Sequence, residues 1–265
     1  MADGITFTWL GVAGFTLQSA GFRLAVDPFF SRPGLRYGLG GRPRPRAELG
    51  ERYLPECGAI LITHAHHDHL MDAPEIARRT GARLYGSPNS CRIAQACGLE
   101  AGQTQTLQAG DRLQIGPFAV EVYAGEHPWL PGYGAGEVSP ALQAPLRLVD
   151  YRMDTDLNFH IAGDGFSLLD WGGKLDGPAP RAEALVCGAT RRGRRLEELL
   201  SYVQPRWVIP VHWDNLFQPL EQGIHAMPGA RLLGRDAQSY ARRVKKARPA
   251  AEVWIPEFFK PFSLR

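Results

Sequence analysis

Residues 57–70 read CGAILITHAHHDHL. The first half is a continuous apolar run with the pattern of a strand buried on both faces of a layered sheet. The second half holds four of the chain's eight histidines, His64, His66, His67 and His69, with Asp68 among them. Neutral imidazoles contribute poorly to packing, so metal binding is the economical reading of that density. His64 and His66 stand two apart, which in extended backbone puts both rings on one side. Asp68 and His69 follow a tight turn and can face a second ion roughly 3.5–4 Å from the first. His67 points the other way by alternation and reads as packing, or as support for a ligand.

Upstream, ITFTWL, FTLQS and FRLAVDP are short β-prone runs punctuated by Gly11, Gly14 and Gly21, a meander of strands. Residues 28–56, with the RPRPR run from Arg42 to Arg46, are rich in Pro, Gly and Arg without an apolar period and read as a surface loop or lid. Downstream, Asp72, Pro74 and Glu75 mark a helix start, and APEIARR carries that helix to Gly81. ARLYG is a short strand, and a second helix runs from Ser87 and Pro88 to Gly98, which makes the region βαβα.

QTLQAGDRLQIGPFAVEVYAG returns to a β meander, and residues 128–145 form a long Pro/Gly loop of the kind that usually serves function. The strands RLVDYRM, LNFHIA and FSLLDW follow, the last two joined by a Gly163-Asp164-Gly165 turn. ALVCG is a further strand, RLEELLSYV a helix, and RWVIPVH a strand that again ends on a histidine. A helix over Ala237 to Ala247 closes the chain. His160 inside a strand and His225 in an expected helix read as structural. No repeat of 20–50 residues is evident, but a β-rich half with helices is followed by a second such half.

The 265 residues fit one domain spanning 1–265, and 44% hydrophobic with 22% charged residues supplies a core without disulfides. The 30 basic and 27 acidic residues leave a formal charge of +3, which requires neither nucleic acid nor a membrane and suits a small, anionic substrate. Cys57, Cys91, Cys97 and Cys187 form no CxxC pair, so neither a zinc ribbon nor a redox pair is indicated. The opening MADGITFTWLGVAG lacks a secretory pattern and no apolar run approaches the roughly 20 residues of a membrane span, so the expected compartment is cytoplasmic.

The segment His64-Ala65-His66-His67-Asp68-His69 after a buried strand resembles the HxHxDH signature of the metallo-β-lactamase superfamily. WLGVAGF and FRLAVDPF are similar to the opening strands of its branch of lactonase-like and broadly named metal-dependent hydrolases, with Val12 where that branch often has a histidine. The resemblance covers nearly the whole chain. It implies an α/β (α+β) fold, the four-layer αββα sandwich, with a metal site at one edge between the sheets.

Carried over by position, the resemblance implies a first metal held by His64, His66 and His127 (in VYAGEHPW) and a second held by Asp68, His69 and His212 (in IPVHWDN). A bridging aspartate is expected at the end of FSLLDWGG, where Asp170 is the carboxylate; strict alignment of the preceding hairpin puts Gly172 there, and Asp164 is already explained by its turn. Two divalent ions follow, zinc first and manganese or iron as alternatives. Such ions lower the pKa of water and polarise the bond under attack, so a metal-dependent hydrolase acting on an ester-like bond, a lactone or phosphodiester of a small molecule, is implied, with Asp68 orienting the water.

Two other readings stay open. Nucleases of the superfamily generally carry an inserted domain or an RNA-binding arm that this chain has no room for, and Arg191, Arg192, Arg194 and Arg195 read as helix-surface charge, so a nucleic-acid phosphodiesterase is disfavoured. Flavo-diiron relatives place glutamate at the second histidine of the signature, whereas this chain keeps His66, which disfavours a redox or non-catalytic member.

Overall fold

The computed structural model describes residues 4–34, 37, 40–127, 133–171, 179–189 and 193–264. Ile5–Gly11 (β1), Gly14–Ser19 (β2) and Phe22–Val26 (β3) form the antiparallel meander that the glycines predict. Ala59–Leu61 (β4), Arg83–Gly86 (β5) and Thr104–Thr106 (β6) continue that sheet in parallel. The second half holds Arg112–Ile115 (β7), Phe118–Gly125 (β8), Gly134–Ala135 (β9), Arg152–Met153 (β10), Asp156–Gly163 (β11) and Phe166–Trp171 (β12). Ala184–Gly188 (β13), Trp207–Val211 (β14), Glu252–Val253 (β15) and Pro261–Leu264 (β16) complete the strands. The helices are Ala47–Tyr53 (α1), His67–Leu70 (α2), Ala73–Thr80 (α3), Pro88–Ala96 (α4), Gly193–Val203 (α5) and Ala237–Ala247 (α6).

Two seven-stranded sheets result, in the orders β16-β1-β2-β3-β4-β5-β6 and β15-β14-β13-β12-β11-β8-β7, with β9 and β10 forming a small third sheet. Period-2 alternation sorts each strand between two cores. Leu24, Val26, Ala59 and Leu61 of the first sheet meet Leu168, Ala184, Val186 and Ile209 of the second between the sheets. Ala25 and Ile60, the intervening residues, pack outward with Ile76 of α3 and Ile93 of α4. Leu169, Leu185 and Val208 pack outward on the other side against Leu196, Leu199 and Leu200 of α5 and Tyr240 and Val244 of α6. Three apolar cores separate four layers, so the αββα sandwich is the observed architecture.

The segment after β3 is not the surface loop its Pro, Gly and Arg content suggests. Phe29 and Phe30 are fully buried and residues 47–53 are helical. The physical reason is Asp72. Its carboxylate, expected to cap α3, makes no side-chain cap there and instead accepts from the Phe30 and Ser31 amides at 2.6 and 2.8 Å and from the Ser31 hydroxyl. Two further expectations fail locally. Residues 148–150 form a 3₁₀ turn, leaving only Arg152–Met153 of RLVDYRM as strand, and His225 lies outside any helix, beside the bridge between Asp214 and Ala226.

Candidate metal centre

The strand ends converge on one edge of the sandwich. β3 and β4 are parallel with Val26 opposite Leu61, so Asp27 emerges beside Thr63 and His64. Asp170 near the end of β12 and His212 just beyond β14 share the direction of a parallel set. Gly125 at the end of β8 pairs with Asp156 at the start of β11, two residues before His127.

Thr63 and Asp27 organise the cluster. The Thr63 amide and hydroxyl donate to the Asp27 carboxylate at 2.8 and 2.5 Å, and His69 Nδ1 lies 2.6 Å from the same carboxylate. A carboxylate accepts only, so His69 carries its proton on Nδ1 and turns Nε2 inward. With the Thr63 proton committed to Asp27, the 3.1 Å contact between Thr63 Oγ1 and His64 Nδ1 requires His64 to donate as well. His64 Nε2 is then a buried lone pair with no hydrogen-bond partner among the described residues. His66 faces the opposite way: its Nε2 donates to the Gly134 carbonyl at 3.2 Å, which frees Nδ1. Each imidazole thus has one nitrogen tied to a protein oxygen and one available, the arrangement that orients histidine ligands.

Two groups of available atoms result. One donor atom from each of His64, His66 and His127 lies within 4.8 Å of the others, and the same holds for Asp68, His69 and His212. The groups adjoin, since the His64 and His69 rings are 3.9 Å apart. Asp68 Oδ2 stands 3.6 Å from His69 Nε2 and 3.2 Å from His212 Nε2. Imidazole and carboxylate donors in three-membered sets fit zinc or a similar divalent ion with a position left open. Orphaned buried atoms, His64 Nε2 and Asp68 Oδ1, point to the same occupants.

The charges are as informative as the distances. Burial opposes ionisation of Asp68, yet the imidazoles of His69, His212 and His67 outweigh it and hold the carboxyl well below its ordinary range. Burial also opposes protonation of His69, but the Asp27 and Asp68 carboxylates lift it to about 9. His66 is pushed down to about 2 by burial, with His64 adding to the effect. Asp170 moves the other way. Burial first, then the Asp27 and Asp156 carboxylates, push it well above the ordinary value, against the pull of His69. It shares the parity of Leu168, which faces the space between the sheets, and it lies outside the two triads.

Gly172, the alternative position for a bridging group, lies outside the described residues, as do Arg191 and Arg192. Asp164 sits in the β11–β12 turn and accepts from the Ser19 hydroxyl, away from the cluster. His67 is buried, with its ring stacked on Tyr133 at 5.5 Å and edge-on to Phe29 at 6.2 Å.

Sequence reasoning gave no role to four residues of the site. Asp27 and Thr63 could have been found, because an aspartate at the end of an apolar strand beside the histidine-bearing strand is a signal. Asp156, whose Oδ1 lies 3.5 Å from His64 Nδ1, and Tyr133, whose ring packs 4.7 Å from that of His66, carried none.

An αββα sandwich carrying these triads at one edge of its sheets defines a metal-dependent protein of the metallo-β-lactamase fold. The model of the β-lactamase superfamily domain matches residues 6–174. A UPF0173 metal-dependent hydrolase of Myxococcus xanthus strain DK1622 is 30% identical over 260 residues, covering 94% of this chain and 80% of the relative. A second, from Methanopyrus kandleri, is 28% identical over 255 residues, covering 94% and 96%. The chain belongs to the β-lactamase superfamily, among the UPF0173 metal-dependent hydrolases. Igni18, a metallo hydrolase from the archaeon Ignicoccus hospitalis, shares the fold over 99% of both chains with a TM-score of 0.64 at 19% identity.

Proposed function

We propose that this metal-dependent hydrolase cleaves an ester-like bond, a lactone or a phosphodiester, in a small molecule, using two divalent ions, zinc in the first place. His64, His66 and His127 would hold one ion and Asp68, His69 and His212 the other, with Asp170 between them. The observation that carries the reading is the pair of adjoining triads, each with its donor atoms within 4.8 Å.

Charge balance supports two ions. Asp27, Asp68, Asp156 and Asp170 are all buried, at 1%, 2%, 3% and 7% exposure. Four carboxylates in one low-dielectric region repel one another strongly, and two dications would balance them charge for charge. Once occupied, the site supplies a water acidified toward neutral pH and polarises the oxygen of the bond under attack.

The protein's own groups then have defined tasks. Asp27 and Thr63 keep the His69 and His64 protons on Nδ1, and the Gly134 carbonyl does the same for Nε2 of His66. Asp68 Oδ2 lies beside His69 Nε2 and His212 Nε2, while Oδ1 accepts no hydrogen bond among the described residues and would orient the attacking water and receive its proton. Phe29, fully buried and edge-on to the His67 ring, keeps bulk water from that side of the cluster.

The test is a panel of lactones and phosphodiesters assayed with zinc-, manganese- and iron-loaded protein. Metal-dependent turnover of at least one class, lost on chelation, is expected; fully metal-loaded protein inert on the whole panel would overturn the reading.

A further inference from the structure

A cavity of about 430 Å³ is separated from the metal centre by Tyr133 and Gly134, and its lining says which kind of molecule it suits. Its volume is that of a small-ligand pocket. Tyr133 and Gly134 belong both to this cavity and to the cluster: the Tyr133 ring packs on His66 and His67, and the Gly134 carbonyl holds His66 Nε2. A molecule seated there is one residue away from a metal ligand.

The cavity has an apolar part and a cationic part. Tyr133, Leu142 and Val149 supply the first, and a role as wall accounts for Val149 being 43% exposed. The second comes from two guanidinium groups. Arg147 is committed to Asp150 through Nε and Nη2, the latter at 2.7 Å, so that pair is neutral. Arg152 differs. Its Nε and Nη2 donate to the Ala135 carbonyl at 2.9 and 2.5 Å, which fixes the guanidinium without cancelling its charge. The lining therefore carries one surplus positive charge, held rigid.

That rigidity is built in. Arg152 pairs with Gly134 across β9 and β10, and a Cβ on Gly134 would stand 2.7 Å from Arg152 Cγ, so the missing side chain is what lets the arginine stem cross. The Asn89 side-chain Nδ2 donates to the Arg152 and Gly136 carbonyls at 2.8 and 3.0 Å, and Asp154 accepts from the Ser87 hydroxyl and the Asn89 backbone N–H, fastening the pocket to the start of α4. Preorganised donors of this kind lower the ordering cost of binding an anion.

We propose that this cavity is the substrate pocket and that Arg152 binds the anionic end, a carboxylate or a phosphate, of a small ester whose opposite end reaches the metal centre. The placement of the reacting bond rests on the hydrolase reading above; the anion site itself does not.

Two measurements separate them. The first compares metal-loaded wild type, Arg152→Gln and Arg152→Lys on mono-p-nitrophenyl glutarate and p-nitrophenyl pentanoate, which differ in a terminal carboxylate. The wild type should prefer the anionic ester, and in Arg152→Gln that preference should fall about tenfold or more, carried by KM, as expected for a lost charged hydrogen bond. Arg152→Lys should recover most of it. A wild-type preference near one, or a loss that strikes both esters equally in Arg152→Gln, would overturn the proposal.

The second measurement titrates glutarate and inorganic phosphate into metal-free protein, where no ion can bind them instead. Binding of either that disappears in Arg152→Gln and persists in Arg152→Lys supports the pocket and tells carboxylate from phosphate. Binding of neither, or binding indifferent to Arg152, would overturn it. If neither these esters nor the lactone and phosphodiester panel is turned over yet the Arg152-dependent binding is found, the hydrolase reading fails and the anion site stands.

Discussion

Arg32 and Asp214 form an ion pair of 2.6 Å with both side chains at 0% exposure. It sits where the metal centre is assembled. Asp214 also accepts from the Val12 amide at 3.0 Å, and the Val12 carbonyl accepts from the His212 amide at 2.7 Å. The buried segment after β3, the turn after β1 and the loop bearing His212 are thus tied at one point.

Removing one partner should destabilise the protein strongly. Arg32→Met leaves a buried carboxylate uncompensated and is expected to cost about 3–5 kcal/mol. Arg32→Met with Asp214→Asn removes the stranded charge while keeping an acceptor for Val12, so it should recover a good part of the loss. Urea unfolding of the two variants and wild type checks this; a double mutant no better than Arg32→Met would show that geometry rather than charge matters there.

Asp27→Asn should weaken the ion at Asp68, His69 and His212 before the other. An amide cannot accept from both the His69 Nδ1–H and Thr63 with the same strength, so His69 loses its fixed orientation, and supports of this type are worth roughly 10–100-fold in metal affinity. Competition with a chromophoric chelator reads the two affinities separately. Equal weakening of both sites would contradict the assignment of Asp27 to His69.

His64, His66 and His69 were legible because they crowd into one short segment that follows an apolar run; local spacing alone brings them together. His127 and His212 were recognisable only as strand-end histidines within a family resemblance, since no local pattern shows that β8 and β14 end at one edge. The burial of Phe29 to Arg32 was hidden because the partners of that segment, Asp72 and Asp214, lie 41 to 182 residues away in sequence. Composition reports solvent preference, and here a distant carboxylate overrides it. Arg152 was unreadable for a similar reason: it is an exposed-type residue whose role depends on a two-residue strand pairing with Gly134.

The metal-free protein should be most stable near pH 6.5. His66, held down to about 2, stays neutral when folded but takes a proton when unfolded below its ordinary value of 6.5, so stability falls as pH drops from there. His69, lifted to about 9, contributes stability that is fully present below 6.5 and is lost as pH rises through 9. Melting temperatures of chelator-treated protein from pH 5 to 10 test both limbs. A melting temperature that climbs steadily from pH 6.5 to 9 would contradict the Asp27–His69 interaction.

Asp170→Asn and Asp164→Asn form a matched pair. Asp170 is buried beside the Asp27 and Asp156 carboxylates, a repulsion that bound cations would relieve, whereas Asp164 lies in a turn. Asp170→Asn should therefore lose the second ion and most turnover, and Asp164→Asn should keep both. Metal loss in Asp164→Asn alone would place the bridging function elsewhere.

The most direct test of the two-ion account is elemental analysis of the purified protein beside its His127→Ala and His212→Ala variants, with the fold checked by circular dichroism. Two divalent ions per wild-type chain are expected, and about one in each variant, because a three-ligand site reduced to two opens to solvent. One ion or none per fully loaded wild-type chain, or unchanged metal content in both variants, would contradict it.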